Sequence, residues 1–266
     1  MRIATYELGG SGPLLLLVHA TGFHGMVWAP LAARLARHFR CVSLDLRGHG
    51  RSDKDPSGRY AWERFTLDIR ASVDALGDVT PYALGHSCGG ASVLLTEQAW
   101  PGTFRALYCY EPVVMPPRTG IDLPNALAEG ARRRRAAFGS REEALERFRS
   151  KPPVADFDLA AARAYVEHGF EDVSDGTVAL RCRAEDEARM YEEASRHGAW
   201  AALGSIGIPA TLACGGPGAH FDEAATRAVA ARIPGARTEV FGQLGHFGPL
   251  EQPDVVAHAV IAAFGS

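Results

Sequence analysis

Leu14-Leu15-Leu16-Leu17-Val18 is an unbroken apolar run of strand length that leads directly into His19. A strand with one wet face alternates apolar and polar residues, whereas a strand apolar at every position is buried on both faces, as in a parallel sheet covered by helices. The neighbouring sequence fits such a sheet. Helical patterns over residues 27–38, 66–76 and 89–100 alternate with β-prone runs at 41–44, 81–84 and 105–110. This βαβα order predicts an α/β fold, with a mostly parallel central sheet and helices on both faces. The strands then stop over residues 116–205, where charged, helix-forming segments are expected at 125–138, 141–148, 159–168 and 185–197. Strand character returns at 209–214 and 238–241, and a helix at 254–264 closes the chain. The expected organisation is a core domain of residues 1–115 and 206–266, with a helical cap (lid) of residues 116–205. Such a cap belongs over the strand ends, where ligands bind in open α/β sheets.

The 266 residues are 47% hydrophobic, enough for a sizeable core, and 28 basic against 31 acidic residues leave a net charge of −3. Charge is spread along the chain, which argues against nucleic acid or an anionic membrane surface as partner. The one basic run, Arg132-Arg133-Arg134-Arg135, falls in a helical stretch and reads as a solvated helix face. Cys41, Cys88, Cys109, Cys182 and Cys214 are odd in number, lack a C-x-x-C pair and lie mostly in apolar runs. That usage predicts buried, reduced thiols and a cytoplasmic location. Leu14 to Val18 is too short for the apolar part of an export signal, and no run is long enough to span a membrane.

The chemistry starts at Gly85-His86-Ser87-Cys88-Gly89, which follows a predicted strand and opens a predicted helix. Glycines permit a tight strand-to-helix turn that lifts the Ser87 hydroxyl clear of the sheet, making Ser87 the candidate nucleophile. Cys88 is the rival thiol, but it sits where the backbone N–H matters and the side chain points away. Serine needs a base. Among ten histidines, His246 in Gln243-Leu244-Gly245-His246-Phe247-Gly248-Pro249 lies between the last strand and the last helix, on the same sheet edge as Ser87. His49 and His86 are assigned packing roles. The backbone N–H groups of Cys88 and Thr21, the latter in His19-Ala20-Thr21-Gly22-Phe23, are candidates to hold an oxyanion.

These stretches, with Trp28, the Asp45–Asp53 loop (Arg47-Gly48-His49-Gly50-Arg51-Ser52) and Glu251, resemble the α/β-hydrolase fold superfamily over nearly the whole chain. The resemblance implies a serine hydrolase that needs no cofactor or metal. It also implies an acid on the loop after the strand at 209–214, but this chain carries Gly215-Gly216-Pro217-Gly218 there. Asp222 is the nearest substitute, although its place at the apparent start of a helix suits a cap. Glu111 ends the strand after the elbow's helix, on the same sheet edge. A carboxylate in so apolar a run, Ala106 to Met115, needs a partner, and His246 is the expected one. Tyr110-Glu111-Pro112 also resembles the stretch in which some haloalkane dehalogenases and the zearalenone lactonases carry a catalytic glutamate.

The expected activity is cleavage of a carboxylic ester or lactone in a small molecule, through an acyl-enzyme on Ser87 with His246 as base and Glu111 as acid. Two alternatives stay open: hydrolysis of a carbon–carbon bond in a diketone-type substrate, and a ligand-sensing module with weak activity. Phe138, Phe148, Tyr165, Phe170, Tyr191 and Trp200 are the candidate cap residues facing the substrate, with packing inside the cap itself as the equal alternative.

Overall fold

A computed structural model describes residues 1–117, 125–216 and 221–265. The chain begins with β1 (Thr5–Gly9), β2 (Leu14–Val18), α1 (Ala29–Leu35), β3 (Arg40–Leu44), α2 (Glu63–Ala75), β4 (Tyr82–His86), α3 (Cys88–Ala99) and β5 (Leu107–Tyr110). There follow α4 (Ala126–Arg133), β6 (Ala137–Phe138), α5 (Arg141–Arg149), α6 (Leu159–Gly169), β7 (Phe170–Asp172), β8 (Val178–Leu180) and α7 (Ala184–Glu193). It closes with β9 (Ala210–Gly215), α8 (Glu223–Ala230), β10 (Arg237–Phe241), α9 (Gly248–Glu251) and α10 (Pro253–Phe264).

Seven strands form the main sheet in the order β1-β3-β2-β4-β5-β9-β10, all parallel except β1, which pairs antiparallel with β3. The apolar run of β2 is buried at every position, as its sequence requires. Leu15 and Leu17 face Trp28, Leu31 and α10, while Leu14, Leu16 and Val18 join Trp62, Phe65, Ile69 and α3 on the other face. The chain runs one way from β2 to β3 and then crosses back past β2 to reach β4. The C-terminal ends of β2 and β4 therefore flank the crevice where such sheets bind ligands.

Two differences from the sequence-based expectation have simple causes. β1 is a partly exposed edge strand, so it lacks the continuous apolar signal that marks the buried ones. Residues 116–205 are not helical throughout: β6, β8 and β7 form a small antiparallel sheet, and the helix expected over 125–138 ends at Arg133. Strands of two or three residues are too short to show a period of two.

Candidate active site

β4 and β5 run parallel in register, Gly85 beside Cys109 and His86 beside Tyr110, so the residues that follow each strand emerge side by side. Those residues are Ser87 and Glu111. They are the two non-glycine residues with positive φ among the described residues, 56° and 42°. A side chain in that conformation is strained and persists only where its surroundings fix it. Here the Ser87 N–H donates to the Tyr110 carbonyl (2.9 Å) and the Glu111 N–H to that of Ala213 (2.7 Å). Glycine lets the elbow pack tightly: a Cβ on Gly89 would lie 2.2 Å from the Val18 carbonyl oxygen, and one on Gly85 2.5 Å from that of Gly89.

Glu111 is fully buried, and both oxygens of its carboxylate are engaged. Oε1 accepts from the Gly215 N–H (2.9 Å), while Oε2 accepts from the Phe221 N–H (3.2 Å) and meets His246 Nδ1 at 2.6 Å. The carboxylate in the apolar stretch thus has the partner expected of it. A proton on Nδ1 leaves Nε2 as the basic nitrogen of the neutral ring. Asp222 is placed otherwise: its Oδ1 accepts from the Ala225 N–H (2.9 Å) and caps α8.

The His246 loop is held from three sides by groups that the sequence reading did not assign to it. His86 Nε2 donates to the His246 carbonyl (2.8 Å), so His86 is a support for the loop rather than simple packing. Tyr110 Oη donates to the Gly245 carbonyl (2.9 Å). The Glu251 carboxylate accepts from the N–H groups on either side of His246, Gly245 at 2.7 Å and Phe247 at 3.2 Å. Burial pushes the Glu251 carboxyl above its usual range and the His86 imidazole well below its own.

Cys88 is buried and its thiol pKa is pushed up to about 12 by burial, so it stays protonated and unreactive. Its backbone opens α3, whose first N–H groups lack intrahelical acceptors. A Cβ on Gly89 would lie 2.6 Å from the His19 carbonyl oxygen, so the start of α3 packs tightly against the 19–23 loop, the other segment expected to bind an oxyanion. Within the 19–23 loop the Gly22 N–H goes to His49 Nε2 (3.0 Å) and the Phe23 N–H to the Ala20 carbonyl (3.1 Å). His49 thereby fixes the loop.

Phe23, Phe157 and Phe247 form an aromatic wall beside His246, with ring centroids 5.3 to 6.1 Å apart. Of the six cap candidates, Tyr165 joins this wall, 5.1 Å from Phe23. Phe138, Phe148 and Phe170 pack on one another, and Trp200 stacks under Arg232. Among the described residues no cluster of three or more His, Cys, Asp or Glu is arranged to hold a metal, and no helix is long and apolar enough to cross a membrane. All five cysteines are buried and unpaired.

Residues 15–259 match the model of the alpha/beta hydrolase family. The chain belongs to that family. Part of it is 34% identical to protein phosphatase methylesterase 1 of Mus musculus, over 146 residues that cover 53% of this chain and 37% of the mouse protein. The match thus spans little more than a third of that relative. Among solved structures, E-2-(acetamidomethylene)succinate hydrolase superposes with a TM-score of 0.82 at 20% identity, covering 99% of this chain and 95% of the other. A Mycobacterium tuberculosis esterase gives 0.78 at 19%, covering 99% and 89%. At such identities the two share its fold.

Proposed function

We propose that this alpha/beta hydrolase is a serine hydrolase that cleaves a carboxylic ester or lactone, with residues 116–205 as a cap over the site and no cofactor in the reaction. The observation that carries the reading is the 2.6 Å bond between His246 Nδ1 and the buried Glu111, made beside the strained turn that presents Ser87. Ser87 Oγ attacks the ester carbonyl while His246 Nε2 takes its proton, and Glu111 stabilises the imidazolium. The N–H groups of Cys88 and Thr21 hold the oxyanion. Collapse of the tetrahedral intermediate expels the alcohol with the proton from His246, and water then releases the acid by the same steps. The partial likeness to a protein whose name is methylesterase supports an ester over a carbon–carbon bond.

The test is labelling by a fluorophosphonate probe together with turnover of p-nitrophenyl esters of increasing chain length. Labelling confined to Ser87 and measurable turnover are expected. A protein that labels poorly and turns over little is a ligand sensor instead.

A further inference from the structure

Of the four consecutive arginines, three behave as a solvated run does: Arg132 pairs with Glu185 and Glu192, Arg133 with Glu129 and Arg135 with Glu143. Arg134 does not. Helix α4 ends before it, the backbone becomes extended, and its side chain turns inward to pair with Glu187 of α7. Only 19% of the Arg134 side chain and 6% of that of Glu187 remain exposed.

A buried ion pair is weak evidence for stability, since an apolar pair of similar volume often does as well. This one is also incompletely satisfied. Arg134 Nε is buried with no hydrogen-bond partner, and Nη1 and Nη2 reach Tyr165 Oη and the Cys182 carbonyl only at 3.5 Å each. A guanidinium offers five N–H donors in a planar fork that matches a carboxylate. Leaving part of that fork unused in a buried place calls for an explanation.

Its location supplies one. Glu187 Oε1 lies 2.5 Å from where a Cβ on Gly22 would stand, one residue beyond Thr21. Tyr165, which Arg134 touches, packs 5.1 Å from Phe23, and Phe23 packs 5.3 Å from Phe247, the neighbour of His246. The pair therefore sits against the 19–23 loop and against Tyr165 at the end of the aromatic wall.

We propose that Arg134 is a substrate-binding residue and that the substrate is an ester carrying a carboxylate, which Arg134 binds alongside its internal counter-ion Glu187. Two carboxylates on one buried arginine repel, but burial already holds the Glu187 carboxyl above its usual range. Glu187 can then take the proton and leave the Arg134 charge to the substrate. The inference rests on the ester-hydrolase reading for where the substrate lies.

Calorimetric titration of the Ser87→Ala protein measures recognition without turnover. Monomethyl glutarate is compared with its neutral analogue methyl pentanoate, and O-butyrylglycolate with ethyl butyrate, which puts the carboxylate on either side of the ester. One acidic ester is expected to bind at least about tenfold more tightly than its neutral partner, as charge-assisted hydrogen bonds require. That ratio should collapse toward one when Arg134→Met and Glu187→Met are added together, a replacement that strands no lone charge in the core. Equal binding of the acidic and neutral esters, or a preference that survives the double replacement, overturns the inference. Fluorophosphonate labelling of Ser87 in the parent protein reports separately on the hydrolase reading.

Discussion

At the scale of single residues the proposed chemistry depends on side chains whose neighbours leave them little freedom. Ser87→Ala removes the attacking atom and preserves the turn, so esterase activity should fall by at least about a hundredfold with folding intact. Cys88→Ala should be far milder, because that thiol is buried and protonated and contributes through its backbone. Comparing the two by rate and by circular dichroism decides the assignment, and loss of activity in the Cys88 variant alone would reverse it. Glu111 and Asp222 form a second pair. Glu111→Gln keeps the shape but turns an amide toward either a backbone N–H or His246, so kcat should drop on the order of a hundredfold or more. Asp222→Asn retains a capping oxygen for the Ala225 N–H and should cost little. The opposite ranking in steady-state kinetics would hand the acid role to Asp222.

At the scale of elements, positions in the sheet explain why some of the molecule was legible in its sequence and some was not. The strands β2, β3, β4, β5 and β9 are mostly buried, and their apolar runs announce them to within a residue or two. Ser87, His246 and Glu111 follow from strand ends, and parallel register then brings them to one edge. Contacts formed only by the fold left no such mark: Arg134 reads like its three solvated neighbours, and nothing local distinguishes Glu251 from a first-turn helix acid. Yet Glu251 bridges the N–H groups of Gly245 and Phe247 and so sets the height of the His246 loop. A glutamine there offers one carbonyl oxygen and presents an NH₂ to the other N–H. Glu251→Gln should therefore lower kcat by about tenfold or more with little change in KM, since small misplacements of a base are expensive. An unchanged kcat would show that His86 and Tyr110 hold the loop without it.

At the scale of the whole molecule, the architecture places neutral histidines in its interior, and this sets how stability responds to acid. His19, His24, His49 and His86 are almost fully buried, on the loops after β2 and β3 and at the end of β4. Burial lowers all four imidazoles below their usual range, His24 to about 4. Their hydrogen bonds suit the neutral ring: His49 Nε2 accepts from Gly22, His19 Nε2 accepts from Leu46, and His86 Nε2 donates to His246. In the unfolded chain each histidine titrates near ~6.5, so below that pH the unfolded state binds protons that the native state refuses. The stability these residues contribute is present above about 6.5 and is lost as pH falls toward the native values. Glu187 and Glu251, raised by burial, act in the opposite sense, with a contribution that is complete only below the unfolded carboxyl range of about 4.3. Between pH 7.5 and 5.5 the histidines therefore set the slope, at up to about 1.4 kcal/mol per histidine at pH 5.5. Urea unfolding at pH 7.5, 6.5 and 5.5 should show the midpoint falling steadily with an unchanged m-value. A midpoint that stays level over that range would mean that the native protein protonates these rings, and the hydrogen bonds assigned to their neutral forms would have to be redrawn.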